Sequence, residues 1–467
     1  MAMNQKKESV ILLLSLLITA TVVSAGLWWL FGNKGSINIF DDDRPENVST
    51  DNLDSQPSKG EKILLQSDST PQKQEAAQAI ANKNYAEAEF LLEQSLSQQR
   101  NDPEALIYLN NARIGDNKAY AIAVSVPIGT ELTSAKEILR GVAQAQNEIN
   151  RQGGINGVPL KVIIINDDNN PQVAEQVAQS LVKDKDILGV IGHFSSNVTL
   201  ATAPIYEKNK LVAISPTSTS VELSKAGEYI FRTVPSDRFT SNALSKYFIE
   251  ELKLNKAAVV YNSQSAYSRS LQETFTTEVV GNGGEIALEV DLADNNFNPV
   301  QTLKNAAVEK TEAIVFLNDS TTLDKAYLLI QLNQRNLPLL GGDSLYKPQT
   351  LEIGGEQAVG LVVGVPWHAL GSANPEFPQA ARHLWGGDVN WRTAMAYDAT
   401  KALAAGLTID PSRQAMQKAL SQSGFNAEGA SGNIKFLSSG DRNAAMQLVE
   451  VQPGQNSSYG YDFVPLK

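Results

Sequence analysis

Residues 187–219 read ILGVIGHFSSNVTLATAPIYEKNKLVAISPTST, and the rhythm of that stretch decides the fold. A short apolar run, ILGVIGHF, gives way to the hydroxyls of Ser195 and Ser196. The helix-like VTLATAPIYEKN follows, and then a second apolar run, KLVAISP. Short β-branched runs separated by amphipathic stretches predict buried parallel strands with helices over both faces. The pattern extends outward in both directions. Upstream stand AYAIAVSVPI and LKVIIIN; downstream stand KAAVVYN, EAIVFLN, PLLGGD and GLVVGVP. Amphipathic stretches at 135–152 and 170–182 fill two of the gaps. The strands are too many for one comfortable sheet, so two lobes are expected.

Bulk properties narrow the function. A chain of 467 residues calls for more than one domain. A net charge of −12 with no basic stripe excludes nucleic acid as a partner. The absence of cysteine excludes disulfides, thiol nucleophiles, thiolate metal sites and a lipid-modified cysteine anchor. His193, His368 and His383 are too scattered for a zinc site, so no metal is expected. No phosphate-cradling or dinucleotide glycine motif follows a strand, and no cofactor is expected. Gly342-Asp343-Ser344-Leu345 spells a serine-hydrolase signature with Ser344 as nucleophile. That chemistry needs a histidine three residues after an aspartate, and Val190, Val365 and Ala380 stand at that offset instead. No catalytic residue is assigned.

The N-terminal region reads differently. Lys6 and Lys7 precede an uncharged run at 10–31, VILLLSLLITATVVSAGLWWLF, ending near Trp28 and Trp29. About 20 apolar residues suffice to span a bilayer, which predicts a cytoplasmic stub and transmembrane anchor in 1–34. Val23-Ser24-Ala25 leaves a cleaved signal peptide as the alternative. Lysines before the run and Asp41, Asp42 and Asp43 after it put the bulk of the chain outside the cytoplasm. Residues 35–71 are polar and read as a flexible linker. Residues 72–116 read as helical, with Ala76, Ala77 and Ile80 on one face, then Tyr85, Ala88, Leu91, Leu92 and Leu96. Asp102 and Pro103 then open a helix carrying Ala105, Leu106, Leu109 and Ala112. Two readings stay open here: a tetratricopeptide-type repeat plus the first helix of the next, or a helical spacer. A lone repeat must pack on something to bury its face.

From about 119 to 466 the wording resembles a known family. GGINGVPLKVIIIND, IGHFSSNVTLATAPIYEKNKLVAISPTSTSVELS, YIFRTVPSD and AYDATKAL, in that order and spacing, resemble the type I periplasmic binding proteins. The likeness is to the branched-chain amino acid (Leu/Ile/Val)-binding family of ABC-transporter receptors. The resemblance implies an α/β protein of two doubly wound lobes joined by a hinge of three crossover strands, with a ligand cleft between them. Lobe 1 is expected at about 119–235 and 367–441, and lobe 2 at about 236–366 and 442–467. The implied function is an extracytoplasmic receptor that closes around a small polar ligand, an amino acid or related amide, for an ABC permease. A membrane-anchored sensor or scaffold with the same fold is the alternative.

A zwitterion must leave water with both charges matched, and strand carboxyl ends supply the groups. Ser195 and Ser196 open a helix after one strand, where exposed N–H groups suit a carboxylate. The resemblance assigns that carboxylate to Ser196, with Thr217, Ser218 and Thr219 beside it. It also implies Tyr267 as the aromatic wall and Asp343 as the acid facing the ammonium, with Asn318 and Asp319 as secondary candidates. The family's glutamate is an aspartate here, and its usual Tyr-Gly pair is Tyr-Ser. Tyr397 and Asp398 read as core.

Overall fold

The computed structural model describes residues 56–466; the apolar run at 10–31 and the first part of the linker lie outside them. Among the described residues no helix is long and apolar enough to cross a membrane. Three helices come first, α1 (Pro71–Ala81), α2 (Tyr85–Gln98) and α3 (Pro103–Ile114). The Thr70 hydroxyl and the Asp102 carboxylate accept from backbone N–H groups of the first turns of α1 and α3, each opened by proline. α3 is buried almost all round, packed between α2 and the body that follows.

Residues 56–70 correct the linker reading. Ile63, Leu64 and Leu65 are buried, and the Glu104 carboxylate accepts from the Leu64 and Leu65 amides at 2.7 and 3.2 Å. Lys73 neutralises that carboxylate and Asp102, both at 2.7 Å in a fully buried cluster. An apolar triplet with partners some forty residues away orders what composition alone reads as linker.

The first sheet runs β2-β1-β3-β4-β5, all parallel. Its strands are β1 (Tyr120–Val126), β2 (Leu160–Asn166), β3 (Ile187–Ile191), β4 (Ala213–Ser215) and β5 (Ile230–Arg232), and between them lie α4 (Leu132–Arg151), α5 (Pro171–Lys183) and α6 (Ser196–Asn209). The outer strand β2 is sealed by side chains. Asn111 of α3 donates to the Val162 carbonyl and accepts from its amide. Asn150 does the same at Leu160, and Ser58 exchanges two backbone bonds with Ile164. Unpaired strand edges are thereby covered.

The second half carries α7 (Asp237–Lys246), α8 (Ala266–Gly281), α9 (Pro299–Val308), α10 (Leu323–Asn333), α11 (Pro348–Gly354), α12 (Glu376–Trp385), α13 (Trp391–Ile409) and α14 (Arg413–Leu420). Its sheet runs β14-β13-β10-β9-β8-β6-β7. The strands are β6 (Lys256–Tyr261), β7 (Glu285–Asp291), β8 (Ala313–Leu317), β9 (Leu339–Gly341), β10 (Val362–Val365), β13 (Gln447–Pro453) and β14 (Tyr461–Pro465). β11 (Ala427–Gly429) and β12 (Gly432–Ile434) form a separate hairpin. The sheet is mixed rather than wholly parallel, because β13 pairs antiparallel with β10 and β14 antiparallel with β13.

Segments 233–236, 366–375 and 435–446 pass between the two sheets. α13 returns to the first sheet and packs along α4, with Gly141 giving the two backbones room to approach. Where the crossings converge, Pro235 bridges Arg442, and the buried Arg232 donates to Asp441 at 2.7 Å, to the Ser220 carbonyl at 2.7 Å and to Ser224 at 3.0 Å.

Candidate functional site

Both sheets reverse their winding beside their first strand, β1 and β6, and such switch points open crevices at strand carboxyl ends. The two crevices face each other. After β3 the chain turns through Gly192 and His193. The His193 ring is fully buried between Asp167 (Nδ1–Oδ2 2.6 Å) and Tyr206 (Nε2–Oη 2.9 Å), which fixes the loop. Ser195 caps α6, its hydroxyl accepting from the Val198 amide. Ser196 is the first helical residue, and its hydroxyl accepts from the Ser220 amide at 3.2 Å. After β4 the Thr217 hydroxyl donates to the Phe194 carbonyl at 2.6 Å.

Opposite stand the loops after β6, β8 and β9. Ser265 caps α8, and the Tyr267 hydroxyl donates to Asp343 Oδ1 at 2.7 Å. Gly342 permits this, since a Cβ there would collide with the tyrosine hydroxyl. The Asp319 carboxylate accepts from Asn262 and Thr321. The halves touch across the crevice. Asn197 accepts from the Ala266 amide at 2.6 Å and donates to the Gln264 carbonyl at 3.1 Å. The Ser270 hydroxyl accepts from Val221 at 2.9 Å, and Lys347 pairs with Glu131 at 3.1 Å.

Between these walls lies a cavity of about 60 Å³, roughly four to six times what a single water needs. Of the residues expected from sequence, Ser195, Ser196, Thr217, Tyr267, Asp319 and Asp343 line it. Ser218, Thr219 and Asn318 do not. Ser218 is spent on Thr199 and the His193 and Phe194 carbonyls. Asn318 donates to the Asp319 carbonyl behind the wall. Thr219 lies beneath the wall, facing the buried carboxyl of Asp237. A more open hollow of about 470 Å³ lies near Tyr346, His368 and Phe463, but it sits away from the carboxyl ends of the first sheet and lacks their converging hydroxyls.

Four lining residues beyond the sequence reading matter: Phe194, Ser344, Trp391 and Arg392. Asn390 caps α13 by accepting from the Arg392 amide at 2.8 Å, so Trp391 and Arg392 sit on its first turn. The guanidinium stacks over the Trp391 ring, 4.3 Å from its centroid. A charged residue opening an otherwise apolar helix was the only signal in the sequence. Ser344 donates to the Asn318 carbonyl at 2.6 Å. Tyr397 and Asp398 are tied inside the fold, to Glu148 and the Ala430 amide.

The electrostatics follow from burial. Burial pushes the Asp343 carboxyl up, opposed by Arg392 and by the Tyr267 hydroxyl. Burial and then the Asp343 charge hold the Tyr267 phenol well above its usual range, so it remains a donor. Burial pulls Arg392 down, and the charges of Asp343, Glu137 and Glu131 offset this. Asp237 is pushed up to about 7, chiefly by burial. Among the described residues no group of three or more His, Asp or Glu is placed to hold a metal ion.

Residues 121–456 match the family described as periplasmic binding protein; α1–α3 precede the match. An amino acid binding protein of Pseudomonas aeruginosa is 30% identical over 146 residues, 31% of this chain and 39% of that protein. The leucine-, isoleucine-, valine-, threonine- and alanine-binding protein of the same organism is 27% identical over 252 residues, 52% of this chain and 66% of its own length. The Leu/Ile/Val-binding protein homolog 1 of Brucella abortus is 24% identical over 354 residues, 73% of this chain and 92% of that protein. Among solved structures, a leucine binding protein from Thermotoga maritima superposes with a TM-score of 0.66 at 22% identity, covering 74% of this chain and 97% of that one. A Streptococcus pneumoniae branched-chain amino acid transporter substrate binding protein in complex with isoleucine gives 0.65 at 20% identity, covering 75% and 100%. At such identities the likeness is one of fold.

Proposed function

The chain belongs to the periplasmic binding protein family, and on that footing we propose that it is an extracytoplasmic receptor that closes around an amino acid or a close relative for an ABC-type permease. One observation carries the reading: Ser196 and Thr217 from one half and Tyr267 and Asp343 from the other line a single small cavity. The ligand carboxylate meets the hydroxyls and the amino end of α6; the ammonium meets Asp343, held by Tyr267. A guest that touches both walls favours closure, whereas one that touches a single wall does not. The relatives named as leucine-, isoleucine- and valine-binding proteins support this ligand class.

Binding without turnover fits Ser344, whose hydroxyl is committed to a backbone carbonyl rather than to a histidine. The apolar run at 10–31 supports a membrane anchor that holds the body outside the cytoplasm. The sensor or scaffold alternative draws its support from α1–α3, three helices outside the family match that are built into the first lobe; their tetratricopeptide-like spacing suits an assembly role.

A thermal-shift titration of the full chain against the common amino acids tests the proposal. A ligand at about 100 times its Kd adds about 2.7 kcal/mol of stability. Asp343→Ala is expected to abolish that shift for ligands bearing an amine. An unchanged shift in this variant removes Asp343 from the site, and silence from every amino acid defeats the ligand class.

A further inference from the structure

Arg392 is only 4% exposed and lines the cavity. A buried guanidinium normally finds a carboxylate or several carbonyls, because it cannot shed its charge. This one does not. Among the described residues its hydrogen-bond acceptor is the Tyr346 carbonyl, at the long distance of 3.5 Å. Its Nε is buried with no partner. The acids whose fields reach it are engaged elsewhere: Asp343 by Tyr267, Glu131 by Lys347, and Glu137 by Arg140 and Thr393. None lies within 4 Å of the guanidinium among the described ion pairs. Trp391 covers one face of the planar group and leaves its edge for an acceptor. The carboxylate hydroxyls and the acid for an ammonium are separate groups on the same cavity. Arg392 is therefore surplus to a neutral zwitterion.

We propose that Arg392 receives a second anionic group of the ligand, so that the cleft selects acidic amino acids over branched-chain ones. This rests on the amino acid reading above. The bound species then presents one carboxylate to Ser196 and Thr217, its ammonium to Asp343, and its distal carboxylate to the guanidinium. Fork geometry suits that last contact. An apolar side chain in the same place leaves the guanidinium unmatched, a penalty that counts against leucine rather than merely failing to favour it.

The experiment titrates the full chain calorimetrically with L-glutamate, L-aspartate and L-leucine, and repeats this with Arg392→Met and Arg392→Lys. Glutamate or aspartate is expected to bind at least tenfold tighter than leucine. R392M should lose about 100-fold for the acidic ligand, reverse the preference, and keep or raise the unliganded melting temperature. R392K should retain part of the preference through its charge. Leucine binding tighter than both acids to the wild type overturns the inference and leaves the receptor reading intact. So does unchanged acid affinity in R392M, or a collapse of its unliganded melting temperature, which would make the arginine structural. Absence of binding by all three ligands overturns the inference, and only silence from every other common amino acid as well overturns the reading on which it stands.

Discussion

Two buried arginines, Arg232 at the hinge and Arg392 at the cleft, are treated in opposite ways. Arg232, where the crossings converge, is saturated: Asp441, the Ser220 carbonyl and the Ser224 hydroxyl all accept from it. Arg392, on the cavity wall, has one long contact and an orphaned nitrogen. A charge removed from water is tolerable only when matched. The saturated arginine is a fixture of the fold, and the unsaturated one holds unspent bonding capacity at the place where a guest would enter.

The largest expected effect comes from making the hinge resemble the cleft. Asp441→Ala strands the Arg232 charge and should cost about 3–5 kcal/mol, the usual consequence of breaking a buried pair from one side. Thermal unfolding measures it, and a loss below about 1 kcal/mol would mean that the saturation at the hinge contributes little.

Asp237 lies between the two regions, on the first turn of α7, with its carboxyl fully buried. Folding raises its pKa to about 7, so the folded chain holds the proton more tightly than the unfolded chain. Stability from this group is full below about pH 4 and is lost as pH climbs through about 7, to a total of up to about 4 kcal/mol. Asp398, pushed to about 6 mainly by burial, adds to the same slope. The informative quantity is therefore the difference between wild type and Asp237→Asn. The variant should unfold at a higher temperature than wild type at pH 8 and draw level with it only near pH 4, with the gap already narrowing by pH 5. Parallel curves at all pH values would contradict the assignment.

The smallest effect sharpens the cleft side. Asn197 ties α6 to the loop before α8 through two hydrogen bonds. Asn197→Ala should lower stability by about 1 kcal/mol while enlarging the radius of gyration seen by small-angle scattering. No change in radius would show that this contact does not hold the lobes together.

How much of this was legible beforehand follows from the range of the interactions. The buried strands announced themselves locally, because ILGVI and AIVFL are apolar whatever surrounds them. β7, β13 and β14 escaped notice, since strands at or near the sheet edge carry charges such as Glu289, Glu450 and Asp462 and mimic loops. The hydroxyl wall was visible as Ser and Thr after each strand, yet sequence could not say that Thr219 turns toward Asp237 while Thr217 faces the cavity. Arg392 drew no reading from the sequence, where it stands at the start of a helix that reads as core. Its exceptional state depends on what is missing around it, and no local pattern encodes a missing partner.

The sealed outer strand sets the practical size of a fragment that keeps the fold covered. A fragment begun at residue 119 would discard Ser58, Asn111 and the whole buried face of α3, uncovering β2 as a sticky ribbon ready to recruit another copy. A piece that keeps β2 covered starts upstream of Ser58, so the segment and helices that precede the family match shield an edge that the matched region alone leaves open.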